Sequence, residues 1–129
     1  TVIAHLSFNE SPIQVSAQIR SGGGQWLSEG IATFGLVMTI IGTLRWRPEA
    51  VPTAVALFIT AAYWFAASTS FANPAVTIAR SLTDSFSGIA PLSAPAFIGA
   101  QIIGAILGTF LMAWLLKTTQ NPRSSERNR

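Results

Sequence analysis

Two long stretches without charge constrain this chain more than any other feature of its sequence. Residues 50–79 and 85–116 contain no Asp, Glu, Lys or Arg, and neither does a shorter stretch at 30–44. Because a transmembrane helix needs about 20 consecutive, mostly apolar residues, each of the two long stretches can cross a bilayer. The sequence therefore predicts an all-α integral membrane protein.

The composition supports this prediction and argues against a soluble domain. Only 10% of the 129 residues are charged, whereas ordinary soluble domains have about 25%. The net charge is +3, but the basic residues flank apolar stretches and do not form a nucleic-acid-binding surface, so no nucleic-acid partner is expected. With no Cys and a single His, we expect no metal site and no cofactor.

The apolar pattern predicts three membrane-spanning helices, at residues 26–45, 51–70 and 95–116. Trp and Arg residues at the ends of the first match the anchoring usual at membrane interfaces, and Pro52 suits the first turn of the second. On the third, Ala100, Gly104 and Gly108 recur every four residues and would let another helix pack closely. The alternative is that Gly and Ala are simply common in membrane helices.

Basic residues orient these helices in the membrane. Arg45 and Arg47 lie between the first two helices, and Lys117 begins a basic segment, 117–129, after the third. The positive-inside rule places both regions in the cytoplasm, which predicts a multi-pass protein of the cell membrane with a cytoplasmic C-terminus. The segment 71–94 must then leave and return on one face, so it is a candidate re-entrant segment.

Asn73 and Pro74 mark the start of a short helix in that segment, because Asn is a preferred N-cap and Pro fits the first turn. The predicted half-helix, 74–84, would be about 15 Å long and would begin near the membrane centre. Its unpaired N–H groups and positive dipole end would then line a cavity, repel cations and orient a polar neutral molecule. An ordinary outer loop opened by a capped short helix is an equal alternative.

The residues around this box resemble one family of membrane proteins. Asn73-Pro74-Ala75 after a hydrophobic span is similar to the signature of the aquaporin, or major intrinsic protein, family. Glu29 with Thr33 resembles that family's Glu-x-x-x-Thr near the start of the first helix of each repeat, and residues 100–108 resemble the third helix. The resemblance extends over residues 26–116.

The resemblance implies that this chain is half of a channel. The family has two inverted halves, each with three helices and one box, so residues 26–116 would form one half-repeat. Residues 1–25 would be the end of a preceding helix and an extramembrane loop, and 117–129 a basic cytoplasmic tail.

Two signals differ on which half is present. Asn-Pro-Ala-Val-Thr resembles the first box of the family more closely, but the charge rule favours the C-terminal half. Thr1 points to a processed, trimmed or fragmentary chain. The implied partners are the lipid bilayer, the missing N-terminal half and identical subunits of a homotetramer.

The resemblance also implies which residues line a solute path. In water-selective relatives an arginine follows the box at the narrowest point, and here that residue is Val76. The constriction would further include Ser70 and either Ala61 or Ala62. All are small or uncharged, which implies an aquaglyceroporin-like path wide enough for glycerol-like polyols or metalloid hydroxides, with or without water.

Two charged residues each allow two interpretations. Arg80 lies one turn after Val76 and either lines the outer mouth or pairs with Asp84, four residues on. Glu29 either accepts hydrogen bonds from the half-helix loop, as the resemblance implies, or complements the helix dipole in a first turn. The aromatic residues 63–65 are expected to pack or to anchor at the interface, not to contact solute.

Together these features predict a passive channel for small neutral solutes and not an enzyme. Asn73 would orient the solute, while Pro74 and Ala75 would shape the start of the half-helix. Two alternatives remain. One is a small three-helix subunit or anchor that packs on a partner through Gly104 and Gly108. The other is a fragment of a secondary transporter, since those proteins also use broken helices.

Overall fold

The structure, a computed structural model, describes residues 1–118, and its regular elements are helical. In chain order they are α1 Val2–Ser7, α2 Gly23–Trp46, α3 Val51–Phe65, α4 Pro74–Arg80 and α5 Ala94–Thr118. A short 3-10 turn at Pro48–Ala50 joins α2 to α3, and residues 1–118 contain no strand. The predicted all-α class is confirmed for this part, while nearly all of the predicted tail at 117–129 lies outside the described residues.

Within residues 1–118, α2 and α5 are the two helices long and apolar enough to cross a membrane. They cover the spans predicted at 26–45 and 95–116. The N-terminus of α2 lies three residues earlier than predicted, because in the Gly-Gly-Gly run at 22–24 only Gly22, whose φ is +133°, leaves the helical conformation. The carbonyl of Gly22 already accepts from the N–H groups of Gln25 and Trp26.

α3 is shorter than the second predicted span, 51–70, because the chain leaves the helix after Phe65. With 15 residues it is about 22 Å long, less than the roughly 30 Å hydrocarbon core. The Ala66 N–H still donates to the carbonyl of Ala62, but three later N–H groups find partners on α2. Ala67 N–H, for example, donates to Ser28 Oγ at 3.0 Å. The length predicted for this helix is therefore wrong.

α4 is also shorter than the predicted half-helix, 74–84. It has seven residues, about 10 Å, because neighbouring segments take the carbonyls that would continue it. The Arg80 carbonyl accepts from Ile89 N–H at 3.2 Å. The Ser81 carbonyl accepts from Ser16 N–H at 3.1 Å, which ties the non-helical segment 8–22 to the end of α4.

α2 packs against α5 along a seam of small residues. A Cβ added at Gly104 would lie 2.1 Å from the carbonyl oxygen of Gly30, and one at Gly108 would lie 2.9 Å from that of Phe34. Real Cβ atoms essentially never come so close, so at these two points the helices approach at a distance that only glycine allows. Such close contact is typical of helix pairs in membranes.

A buried apolar cluster joins α5 to α4 and to the segments on either side of α4. Phe71, Ile89 and Phe97 form it, the Phe71 and Phe97 rings lie 5.6 Å apart, and Val76 packs against it. The cluster supports the loop formed by residues 66–73, which leads from α3 into α4.

Candidate functional site

The carboxylate of Glu29, fully buried on α2, holds the 66–73 loop. Its Oε1 accepts from Ser68 Oγ at 2.5 Å and from Phe71 N–H at 2.8 Å. Its Oε2 accepts from Ala72 N–H at 2.9 Å and from Gln101 Nε2 of α5 at 2.7 Å. The backbone N–H groups of Phe71 and Ala72, two buried residues, have no other partner in the loop, so one side chain fixes the path of the loop.

The helix-dipole interpretation of Glu29 is wrong. α2 begins at Gly23, so Glu29 lies beyond the first turn, where the dipole effect has fallen off. Thr33, one turn further on, is also buried, and its hydroxyl donates to the backbone carbonyl of Glu29 at 2.9 Å. That bond satisfies the Thr33 hydroxyl within the helix.

A chain of hydrogen bonds continues from Glu29 to the start of α4. Gln101 Nε2 also donates to Thr77 Oγ1 at 2.9 Å, and both residues are buried. Thr77 Oγ1 in turn lies 3.1 Å from the carbonyl of Asn73. α2, α5 and α4 are thus joined through polar side chains at the point where α4 begins.

The 66–73 loop contains an unusual backbone. Thr69, Ser70 and Ala72 have φ values of 65°, 48° and 50°. A left-handed conformation costs a non-glycine residue about 1–2 kcal/mol, and such strain persists where the surroundings over-determine it. Here the Glu29 bonds to Phe71 and Ala72 hold the backbone, and they present Ser70 and Asn73 to one groove.

That groove, about 280 Å³ in volume, lies between α2, α3, the loop and α4. It brings together four of the residues predicted for the solute path: Ser70, Asn73, Val76 and Arg80. The remaining lining residues are Leu36, Val55, Ile59, Tyr63 and Phe71. Aliphatic and aromatic groups from α2 and α3 therefore face hydrogen-bonding groups from the loop and α4.

Asn73 caps α4 and keeps one functional group for other partners. Its Oδ1 accepts from Ala75 N–H at 2.8 Å, which satisfies an unpaired donor of the first turn. The amide NH2 is then left to donate. Pro74 and Ala75 are exposed at the start of α4, next to the groove but not among the residues that line it.

Two polar groups in the groove differ sharply in their surroundings. Ser70 is only 3% exposed, and its Oγ has no hydrogen-bond partner among residues 1–118. Arg80 is half-buried and donates to Thr69 Oγ1 at 3.4 Å and to the Tyr63 hydroxyl. Its guanidinium carbon lies 4.4 Å from the centre of the Phe71 ring.

Of the two interpretations of Arg80, the pairing with Asp84 is wrong. In the described part of the chain the ion pair within 4 Å joins Arg47 to Glu49. Asp84 Oδ1 instead accepts from the backbone N–H of Ala17 at 3.0 Å.

The residue expected from α3 is also corrected. Ala62 is fully buried, Ala61 is exposed, and neither lines the groove. The side chain that α3 contributes beside Arg80 is Tyr63, which the sequence predicts to pack or to anchor at the interface. Val55, Ile59 and Tyr63 recur every four residues and form the face of α3 that lines the groove, whereas Ala61 and Ala62 lie on other faces.

Arg20, in the segment predicted to be only an extramembrane loop, was missed. It is buried, and its guanidinium donates to the carbonyls of Gly88 (2.7 Å), Phe86 (2.8 Å) and Ser68 (3.3 Å). Burial, and after it the nearby charge of Arg80, lower the pKa of Arg20 from its ordinary value. The sequence offered one signal, a single arginine shortly before the Gly-rich residues 22–24. This signal does not identify the carbonyls to which the arginine donates.

Residues 1–118 contain no group of three His, Cys, Asp or Glu side chains that could hold a metal ion. The groove offers instead a fixed guanidinium, a primary amide and a hydroxyl opposite an apolar wall. That set can donate hydrogen bonds to a small polar molecule that passes, and it holds no nucleophile paired with a base.

Comparison with known proteins agrees with this geometry. The model of the major intrinsic protein family matches residues 25–128. Aquaglyceroporin AqpS of Rhizobium meliloti (strain 1021) is 56% identical over 117 residues, which are 91% of this chain and 50% of that relative. The chain thus spans about half the length of this relative, and no solved structure matches it. Since the family model covers most of the chain and the identity is high, this chain belongs to the major intrinsic protein family, whose members are membrane channels and not enzymes.

Proposed function

We propose that this chain is one half of a passive transmembrane channel for small neutral solutes. The observation that carries the proposal is the groove in which Asn73, at the start of α4, faces the apolar wall of α2 and α3. Because the chain spans half of its relative, the opposite wall of the path would come from the missing half.

The chemistry of the groove favours neutral, hydrogen-bonding solutes. The Asn73 amide donates, and the nearby charge of Arg80 repels cations. Leu36, Val55 and Ile59 offer no polar group to replace the hydration shell of an ion. An ion would therefore lose its water at high cost, while a polyol would exchange water for the donors of the groove.

The width of the path favours solutes larger than water. Val76 follows the Asn-Pro-Ala box, lines the groove and is half-buried against the Phe71 cluster, so no long charged side chain narrows the path there. The relative's name, aquaglyceroporin, supports the same size class. We infer passage of glycerol-like polyols or metalloid hydroxides, together with water.

The proposed architecture has three spanning helices, α2, α3 and α5, with α4 as a re-entrant half-helix. α3 would reach across most of the hydrocarbon core when the 3-10 turn before it is included. Arg45 in the last turn of α2, Arg47 just after it and Lys117 at the end of α5 favour a cytoplasmic position for these two helix ends and hence the C-terminal half. A homotetramer of the full-length protein in the cell membrane completes the proposal.

Solute flux through the full-length protein tests this function. Liposomes that contain the protein should swell in an inward glycerol gradient faster than empty liposomes, and planar bilayers that contain it should carry no current. Absence of flux would favour a membrane anchor. Flux that depends on an ion gradient would favour a secondary transporter, and either result would refute the proposal.

A further inference from the structure

We propose that Arg80, held in place by Tyr63, is the cationic residue that sets solute selectivity, one helical turn beyond the position where Val76 stands. The inference rests on the proposed channel function. The residue directly after the Asn-Pro-Ala box, Val76, carries no charge, and Arg80 supplies the charge from the same face of α4.

The first support is the position of Arg80. It lines the same groove as Asn73 and Val76, and residues 73, 76 and 80 fall at the three- and four-residue spacing that places side chains on one helix face. A solute that passes Asn73 and Val76 along this face therefore meets the guanidinium next.

The second support is that no acid neutralises Arg80 in the described residues. The ion pair found there is Arg47 with Glu49, and Asp84 is engaged by the backbone of Ala17. Glu29 is the buried acid of the site, and its oxygens accept four hydrogen bonds from other groups. The charge of Arg80 thus remains available to the groove.

The third support is the way in which the guanidinium is held. Tyr63 from α3 accepts from one of its nitrogens, Thr69 accepts from another, and the group lies over the Phe71 ring. These contacts use two of the five N–H donors, so donors remain for a solute. Tyr63 is therefore a positioning residue, which acts by fixing Arg80 on the wall.

The fourth support is the Ser70 hydroxyl in the same groove. It is 3% exposed, and it has no partner within residues 1–118. A buried hydroxyl without a partner is costly unless something else supplies the bond. A solute hydroxyl that takes a bond from Arg80 can exchange a second one with Ser70, so the two residues form one selective point.

Arg20 supports this arrangement through its contact with the Phe71 ring. Its guanidinium carbon lies 5.4 Å from the centre of the same Phe71 ring, and its donors are spent on three backbone carbonyls. Arg20 therefore fixes the Phe71 ring over which Arg80 lies, and it adds positive charge near the proposed path.

The test uses three single variants of the full-length channel in liposomes, together with the double variant that combines Arg80→Gln and Tyr63→Phe. Arg80→Gln removes the charge and keeps a hydrogen-bonding group, Arg80→Lys keeps the charge, and Tyr63→Phe removes only the hydroxyl. Arg47→Gln and Trp64→Phe are matched controls, because both side chains are exposed and lie outside the groove. For each, glycerol permeability, water permeability and sodium leak are measured per inserted channel.

We expect Arg80→Gln to raise sodium leak on the order of tenfold or more, because a nearby fixed charge no longer opposes the cation. Its ratio of glycerol to water permeability should change severalfold. Arg80→Lys should keep sodium out and change only the permeability ratio. Tyr63→Phe should change the ratio in the same direction as Arg80→Gln, and it should add nothing in the Arg80→Gln background, because the two residues act as a unit.

The inference is overturned if the native channel passes glycerol while Arg80→Gln keeps both its permeability ratio and its sodium exclusion. It is also overturned if Tyr63→Phe and Arg80→Gln have additive effects, since Tyr63 would then act independently of Arg80. A native channel that passes no glycerol would instead refute the proposed function, so the two failures are distinguishable.

Discussion

Replacing Glu29 with Gln tests whether one buried carboxylate holds the loop that carries Ser70 and Asn73. The carboxylate accepts four hydrogen bonds, two of them from the backbone N–H groups of Phe71 and Ala72. A Gln side chain has one acceptor oxygen and one NH2 group. Whichever way the amide turns, one of these two N–H groups therefore faces a donor.

The magnitude follows from these contacts. An unpaired buried N–H costs about 1–3 kcal/mol, and the remaining bonds lose roughly 1 kcal/mol because the acceptor is no longer charged. The Ser68 hydroxyl and the Gln101 amide can each turn to accept instead of donate, so they add little. We expect the loop to lose about 2–4 kcal/mol of local stability, which is a factor of roughly 30 to 1000 in its opening equilibrium.

Hydrogen exchange of the full-length channel, followed by mass spectrometry, measures this opening directly. Peptides that cover residues 66–73 should exchange about 30-fold to 1000-fold faster in Glu29→Gln, by the factor derived above, and glycerol permeability should fall. The control is Glu49→Gln, in which an exposed carboxylate paired with Arg47 is lost, a change worth about 0–1 kcal/mol. Equal exchange of residues 66–73 in the two variants would refute the reasoning.

Two further predictions concern the width of the path and the packing of the helices. Val76→Arg should lower glycerol permeability by roughly tenfold or more and affect water less, because it adds a long cation to the wall; unchanged glycerol flux in the liposome swelling assay would show that Val76 does not line the constriction. Gly104→Ala should destabilise the channel by about 3 kcal/mol, because the new Cβ would lie 2.1 Å from the Gly30 carbonyl oxygen. Gly99→Ala, which meets nothing within 4 Å, is its control in detergent melting experiments, and equal melting temperatures would contradict the close packing.

The parts of the fold that depend on local sequence could be predicted. Uncharged stretches located α2 and α5, and Asn73-Pro74 located the start of α4, because an N-cap and a first-turn proline act on the next few residues alone. The ends of α3 and α4 could not be predicted in the same way. They are set by distant partners: Ser28 takes Ala67 N–H, and Ser16 takes the Ser81 carbonyl.

The same difference between local and distant contacts explains which residues of the site could be predicted. Ser70, Asn73 and Val76, in and around the Asn-Pro-Ala box, are brought to one groove because they are close in sequence. Tyr63 and Arg20 meet the Phe71–Arg80 region from other segments, and no spacing rule connects them. The pairing expected for Arg80 and Asp84 was reasonable for a continuous helix, but α4 ends at Arg80 and removes the geometry on which that spacing depends.

Chemical blocking of a single introduced cysteine tests most directly whether the groove is the solute path. The chain contains no cysteine, so Val76→Cys and Leu57→Cys can be compared in the full-length channel, with the unsubstituted protein as the background. Val76 lines the groove, whereas Leu57 is exposed on α3 and lies outside it. A small polar thiol reagent should abolish glycerol flux through Val76→Cys, reduction should restore it, and Leu57→Cys should be unaffected. Undiminished flux through a fully labelled Val76→Cys channel would contradict the assignment of this groove as the path.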